Sequence, residues 1–414
     1  MSIFGTSVSG MMGYSNWLSE ISQNVANANT TGYKDAETQF STLVDQAAGN
    51  AANFAGVKTS VRSLNSLQGT IVGTNTTTDL AVQGAGFFVV SDSSGALYLT
   101  RNGSFVPDAS GNLVNSAGYY LMGYNSSAGG SSAAAGSVSG LQKVNVTTSG
   151  ESATPTTTAS ISANLPSTAA VVAAANLPSQ NTATSTFTAQ TTMVAYDDLG
   201  GSHTMDVYFS KTAANTWEVD VYDHSAASAA GGFPYSSGPL NTSTLTFDPT
   251  TGALSGGSPL SFAVPGGQTV SLNLSSTTQL ATAFGVSATT ANGNAPGTET
   301  GVAIAADGTL TFQYSNGGSR PGYTIPLADV PSPDNMTNMH GDAFATNAQS
   351  GQMNIGVAGS AGFGSIQSSS LENSTVDLAT QLTDMIEAQA DYQANSKVFQ
   401  TGANLLDVLN GLKA

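Results

Sequence analysis

Residues 22–35, SQNVANANTTGYKD, mark the point where an N-terminal helical pattern stops. Upstream of it, Phe4, Val8, Met11, Leu18 and Val25 recur at spacings of three and four or whole-turn multiples of them. Tyr14, Trp17 and Ile21 form a second stripe beside them. The spacing predicts a helix over residues 3–29. Asn27, Asn29, Thr31 and Gly32 then read as its terminating turn, because Asn tolerates the left-handed conformation and Gly adopts it freely. The chain resumes at Tyr33 and Lys34.

The other end of the chain carries a matching pattern, and a second helix is expected over residues 371–414. Leu378, Leu382, Met385, Gln389, Tyr392, Ser396, Phe399, Ala403 and Leu406 alternate in steps of four and three, the period of a coiled coil. A second stripe runs through Val376, Ile386, Ala390, Ala394, Val398, Leu405, Leu409 and Leu412. Asn373 or Ser374 would cap the start, with Asp377 in the first turn. Two apolar stripes are more than one partner covers. The helices can pair within one chain, and they can also pack on neighbouring copies. Gln381, Gln393, Asn395, Gln400 and Asn404 make a remaining polar face, which would line a wet channel or face solvent.

Between the two helices the period changes. Residues 35–75 read as irregular. From TDLAVQGAGFFVVSD onward the pattern is strand-like, with turns at Asn102-Gly103 and Gly111-Asn112. Residues 125–190 are rich in Ser, Ala, Gly and Thr and mark a linker or an insertion boundary. Strands are expected at Thr192–Tyr196, His203–Ser210, Trp217–Tyr222, Ser243–Phe247 and Thr269–Leu274, with Met205, Val207 and Phe209 alternating inward. A hairpin on Asp307-Gly308 closes the series.

Composition narrows the function. The chain has 414 residues, of which only 8% are charged and 40% hydrophobic. Hydroxyl and amide side chains take the place of long charged ones and lose little entropy on packing, which suits self-assembly. The net charge is −17 and the nine Lys and Arg residues are scattered, so neither nucleic acid nor an anionic membrane surface is expected as a partner. There is no cysteine, hence no disulfide or thiolate chemistry. No apolar run approaches the ~20 residues of a membrane helix. Residues 1–33 lack Lys and Arg, so the basic region of a cleavable signal is missing.

Four stretches carry a resemblance: SVSGMMGYSNWLSEISQNVANANTTGYK, TDLAVQGAGFFVV, YLTRNGSFVPDASGNLVNSAGYYLMGY and LENSTVDLATQLTDMIEAQADYQANSKVFQTGANLLDVLNGL. Together they resemble the bacterial flagellar axial proteins, the rod and hook family, over roughly the first 124 and last 45 residues. Length, and a middle containing YDDLGGSHTMDVYFSK and NTWEVDVYD, are more similar to hook subunits than to distal rod subunits. At AQADYQANSKV, Ala390-Asp391 stands where the family often has a basic residue followed by Ala.

The resemblance implies an α+β fold. Residues 1–30 and 368–414 would form an inner coiled-coil domain, and 31–74 with 355–367 a connecting segment. Residues 75–147 and 299–354 would form a β-rich middle domain, with a second β-rich domain, 148–298, inserted into it as the outermost part. The inner packing would use Phe4, Val8, Met11, Leu18, Ile21, Val25, Leu378, Leu382, Met385, Ile386, Tyr392, Phe399, Leu406 and Leu409. The implied function is a self-assembling hook subunit, part of a flexible curved tube that transmits torque from rod to filament. Its partners would be itself, the distal rod protein, the hook cap, the hook–filament junction protein and the flagellar type III export apparatus, with export outside the cell and no signal cleavage. The competing readings are a distal rod subunit, which would make a straight tube, and an extracellular β-rich adhesin with oligomerisation helices.

No catalytic, cofactor or metal site is expected. His203, His224 and His340 are far apart in sequence, and Asp197-Asp198 and FDPTTG read as turns rather than calcium loops. The GAG at residues 84–86 precedes a strand rather than a helix, so it suits close backbone approach, not a dinucleotide. Nothing selects a pair of acids for glycoside hydrolysis. Trp17 and Trp217 read as packing anchors, with a carbohydrate platform as the other option at Trp217.

Overall fold

The computed structural model describes residues 3–45, 53–126, 137–147, 150–229, 231–360 and 362–411. Helices at the two ends bracket a β-rich body. The chain falls into two compact units: residues 1–148, 301–312 and 320–414, and residues 149–300 with 313–319.

In the first unit, α1 spans Ile3–Ala26 and α2 spans Leu378–Gly411. Both are shorter than their sequence patterns imply. α1 stops before Asn27, whose amide donates to the Gln23 carbonyl at 3.1 Å. α2 starts late because residues 370–372 are a strand, Ser370–Glu372, paired antiparallel with Ile71–Gly73. Its cap is therefore Asp377, whose Oδ1 accepts from the Ala379 amide at 2.8 Å, and not Asn373 or Ser374. The region read as irregular holds a long antiparallel hairpin, β1 (Ala36–Asp45) and β2 (Asn53–Ser63). It lies against α1: the Phe40 ring is 5.3 Å from Tyr14 and 5.8 Å from Trp17, and Asn16 Nδ2 donates to Thr59 Oγ1 at 3.0 Å.

The body of this unit is a sheet centred on Phe87–Ser91, which is buried throughout. It pairs with Leu97–Thr100 on one side and with Tyr120–Asn125 and Pro326–Asp329 on the other. Phe87, Val89, Leu99, Met122, Phe344 and Ile355 share its core. Gly86 is where the backbone needs the missing side chain. Its φ is +113° and a Cβ would lie 3.3 Å from the Leu327 side chain.

The second unit is two sheets around one core. One is antiparallel in the order Ala189–Tyr196, Ser202–Ala213, Thr216–Asp223, Asn241–Phe247, Leu254–Gly256. The other is built on Thr158–Pro166, paired parallel to Thr269–Asn273 and Thr278–Leu280 and antiparallel to Gly285–Ala291. Within the stretch read as a linker or an insertion boundary, Ser152–Thr154 and Thr158–Pro166 are ordered strands. Met205, Val207 and Phe209 face the core, as their alternation implies. Trp217 is buried and donates through Nε1 to Gln279 Oε1 at 2.8 Å, so it is an anchor and offers no sugar platform.

The turn after α1 fixes the path of the chain. Gly32 has φ +74°, its amide donates to the Glu372 carbonyl at 2.8 Å, and a Cβ there would lie 2.5 Å from the Asn102 amide nitrogen. Left-handed strain of roughly 1 kcal/mol would add to that backbone clash in a Gly32→Ala variant. Thermal unfolding of Gly32→Ala should show a loss of roughly 2–4 kcal/mol; an unchanged midpoint would show that the turn is not constrained this way.

Candidate assembly surface at the chain ends

The helices run antiparallel, with Phe4 against Phe399 (ring centroids 5.1 Å), Gly10 against Asn395, and Asn24 against Gln381. Their contact is made largely by small and polar side chains. On α2, Gln381, Ala388 and Gly402 are buried and Asn395 is half-buried, in steps of seven residues. On α1, Ser7, Gly10, Ile21 and Asn24 are buried. A Cβ on Gly10 would sit 2.7 Å from Asn395 Oδ1, so the helices approach closely there. Gln381 and Asn395 therefore leave the polar outer face expected for them and join the seam.

The residues expected to pack divide into two groups. Phe4, Val8, Met11, Leu18, Val25, Met385 and Phe399 are half-buried, and Ile21 is fully buried. Leu378, Leu382, Ile386, Tyr392 and Leu406 are exposed. Ile386 is 70%, Val408 62% and Leu405 58% exposed, enough to leave an apolar strip on α2 with no cover among the described residues. The side chain of Leu409, and Leu412, lie outside the described residues. Asp391 turns toward α1. Burial first, and the Asp391 carboxylate next, push the Tyr14 hydroxyl above its usual range.

In the terminating turn, Asn27 Nδ2 donates to the Gln23 carbonyl at 2.9 Å and its Oδ1 accepts from Thr30 Oγ1 at 3.1 Å. Asn29 is exposed and Thr31 half-buried. The stronger node is Asn24, just inside the helix. Its Nδ2 donates to the Ala36 carbonyl (2.9 Å) and Gln381 Oε1 (3.2 Å), and its Oδ1 accepts from Tyr33 OH (3.1 Å) and the Ala36 amide (3.3 Å). One buried amide ties α1, the start of β1 and α2 together.

Glu372 ties the same region to the body. Its Oε1 meets Lys34 Nζ at 2.5 Å and the Gly69 amide at 2.7 Å, and its Oε2 meets Arg101 Nη1 at 3.0 Å. Lys34 Nζ also donates to the Leu67 carbonyl. Arg101 donates to the Gly84 carbonyl at 2.8 Å and lies 5.0 Å from the centre of the Phe87 ring. All three charges are buried. Burial lowers the Lys34 pKa, and Glu372 opposes that fall. Sequence reading missed this triad, since its members are isolated charges dozens to hundreds of residues apart.

Nearby carboxyls share the strain of burial. Glu20 is raised by burial and then by Asp35, and Asp35 is itself raised by burial. Burial, with Glu20 and Asp35 adding, pushes Tyr33 up to about 12. Among the described residues, no group of three or more His, Cys, Asp and Glu side chains is arranged to hold a metal. No helix among them is long and apolar enough to cross a membrane.

Removing the carboxylate of Glu372 would strand two buried cations, which costs about 3–5 kcal/mol. Glu372→Gln should lower stability by that amount in chemical denaturation, well beyond the about 0–1 kcal/mol typical of an exposed pair. A loss within that smaller range would show that the triad does not tie the segment after α1 and the strand before α2 to the body sheet.

Comparison with known proteins agrees along the whole chain. Residues 4–34 match the family model "Flagella basal body rod protein" and 81–164 match "Flagellar hook protein FlgE/F/G D1 domain". Residues 164–294 match "Flagellar basal body protein FlaE D2 domain", and 367–412 match "Flagellar basal body rod FlgEFG protein C-terminal". The flagellar hook protein FlgE of Brucella abortus is 46% identical over 100% of both chains. That of Rhizobium meliloti is 41% identical over 100% of both. That of Salmonella typhimurium is 31% identical over 99% of this chain and 100% of its own. With full-length identity at this level, and family models matched near both ends and over residues 81–294, the chain belongs to the flagellar hook protein FlgE family, a structural rather than an enzymatic one.

Proposed function

We propose that copies of this hook subunit build a flexible, curved tube outside the cell, acting as a universal joint between rod and filament. The observation that carries the reading is the uncovered apolar strip of α2: Leu382, Ile386, Val398, Leu405 and Val408 are exposed in the single chain. Neighbouring copies would cover it, with the paired ends as an inner coiled-coil domain. Residues 31–74 and 355–367 would connect outward to a β-rich middle domain of residues 75–147 and 299–354. Residues 148–298 would be inserted into it as the outermost domain.

Bending while rotating requires rows of subunits to lengthen and shorten once per turn. Contacts between outer domains must then exchange among near-equal arrangements. Hydroxyl- and amide-rich surfaces with few charges suit this, because little area or charge is lost at each exchange. Large apolar side chains near the centre resist the same motion and keep the tube closed.

On this reading, the subunit leaves the cell through the flagellar export apparatus without a cleaved signal. It would then meet the distal rod protein, the hook cap and the hook–filament junction protein. Neither a cofactor nor nucleic acid has a part in it.

Leu382→Asp or Leu406→Asp removes apolar burial worth about 1.5–3 kcal/mol and places a charge in the contact. Each should raise the critical concentration for salt-induced polymerisation by roughly 100-fold or more, while near-ultraviolet dichroism of the β-rich units is unchanged. Electron microscopy of the wild-type chain should show curved tubes. Normal tubes from either variant would remove the strip from the account, and straight wild-type tubes would favour a rod.

A further inference from the structure

In the second unit, the sheet face opposite the core carries a group of oxygens with no role in the fold just described. Asp206, Tyr208 and Ser210 on the Ser202–Ala213 strand point away from the core, as do Glu218, Asp220 and Tyr222 on Thr216–Asp223. All are buried except Glu218, which is half-buried. The register sets Ser210 opposite Glu218 and Tyr208 opposite Asp220. Side chains so paired have Cβ atoms about 4.5–5.5 Å apart. Glu218 and Asp220 lie two residues apart on one strand, so they are neighbours on this face.

Most polar groups on this face are satisfied. Asp206 Oδ2 meets His224 Nδ1 at 2.8 Å and accepts from Tyr235 OH at 2.5 Å. Thr242 Oγ1 donates to Asp220 Oδ1 at 2.6 Å. The neighbouring Lys211 is directed elsewhere, donating to the Ser167 and Ala169 carbonyls. Four buried atoms on this face have no hydrogen-bond partner: Asp206 Oδ1, Ser210 Oγ, Glu218 Oε1 and Asp220 Oδ2, and the residues of the last three are neighbours in the strand register. Ser210 and Asp220 are wholly inaccessible. Buried polar atoms are normally satisfied, and two buried carboxylates side by side are costly. Left bare, burial raises the Asp220 pKa to about 7, the Thr242 hydrogen bond opposing and Glu218 adding to the rise.

A cation removes that penalty. The donors are all oxygen, with no nitrogen or sulfur among them, which selects a hard ion. Two carboxylates match a double positive charge. We propose that Glu218 Oε1, Asp220 Oδ2 and Ser210 Oγ bind one divalent hard cation, Ca2+ in preference to Mg2+, with water completing the shell. Donors fixed by strand spacing suit the longer, irregular bonds of Ca2+ better than the tight octahedron of Mg2+. With only two carboxylates the site belongs to the weak class, with Kd of order 0.1–1 mM, as in modules that work outside cells.

The test is thermal unfolding of the full chain at low ionic strength and about pH 8, with about 5 mM CaCl2, MgCl2, or NaCl at matched ionic strength. Calcium should raise the wild-type midpoint by about 2–4 °C over the sodium control, and magnesium by less. Asp220→Asn and Ser210→Ala should each lose most of the calcium shift. Ser210→Ala changes a single hydroxyl, so it reads the site even where Asp220→Asn alters the fold. A wild-type midpoint no higher in calcium than in sodium overturns the proposal and leaves the pair to share a proton. Equal calcium shifts in wild type and both variants also overturn it, since they would come from the acidic surface at large.

Discussion

The contact between α1 and α2 is made mainly of small and polar side chains, and this sets what the rest of the molecule needs. Gly10 lets Asn395 come close, Asn24 meets Gln381, and Ala388 and Gly402 give α2 a thin inner edge. Close approach brings van der Waals contact but buries little apolar area. Phe399 packs on Phe4, but most large apolar side chains of α2, among them Leu382, Ile386, Leu405 and Val408, stay exposed. A 34-residue helix attached along one narrow seam, with Leu382, Ile386 and Leu405 in water, has spare binding energy and little to hold it alone. On the proposed function, identical copies would supply the missing cover, and a weakness of the single chain would become the reason for a polymer.

Two polar nodes stop this seam from being a loose hinge. Asn24 fixes where α1 ends relative to β1 and α2. Glu372, between Lys34 and Arg101, joins the strand before α2 to the segment after α1 and to the body sheet. Buried ion groups of this kind add little net stability but tolerate few alternative arrangements. That suits a subunit whose helical ends must hand force to its β-rich body without slipping.

Both terminal helices were legible because long apolar periodicity is a strong signal, and so were strands with clear alternation such as Met205, Val207 and Phe209. The β1–β2 hairpin was not. It is a largely polar ribbon held by ladder hydrogen bonds and a few contacts such as Phe40 on Trp17, and periodicity cannot register backbone pairing. The start of α2 was misplaced because Asn373 and Ser374 are good caps in isolation, while the partner strand at Ile71–Gly73 claims residues 370–372. Which residues make the close contact between α1 and α2 was not legible for a related reason. Apolar stripes draw attention to Leu382 and Ile386, yet close packing is marked by Gly10, Ala388 and Gly402, which carry no hydrophobic signal. The Glu372 triad joins charges that only the folded topology brings together.

In the second unit, a well-filled core around Trp217, Phe209 and Leu272 is enclosed by strands whose outer residues are mostly hydroxyl-bearing. The core of this unit is closed by its own strands, whereas the apolar strip of α2 has no cover among the described residues. Amide hydrogen exchange in the dilute chain and in assembled tubes tests that contrast most directly. The account predicts fast exchange along α2 in the dilute chain, slow exchange in tubes, and little change in the strands around Trp217. Equal, strong protection of α2 in both states would contradict it.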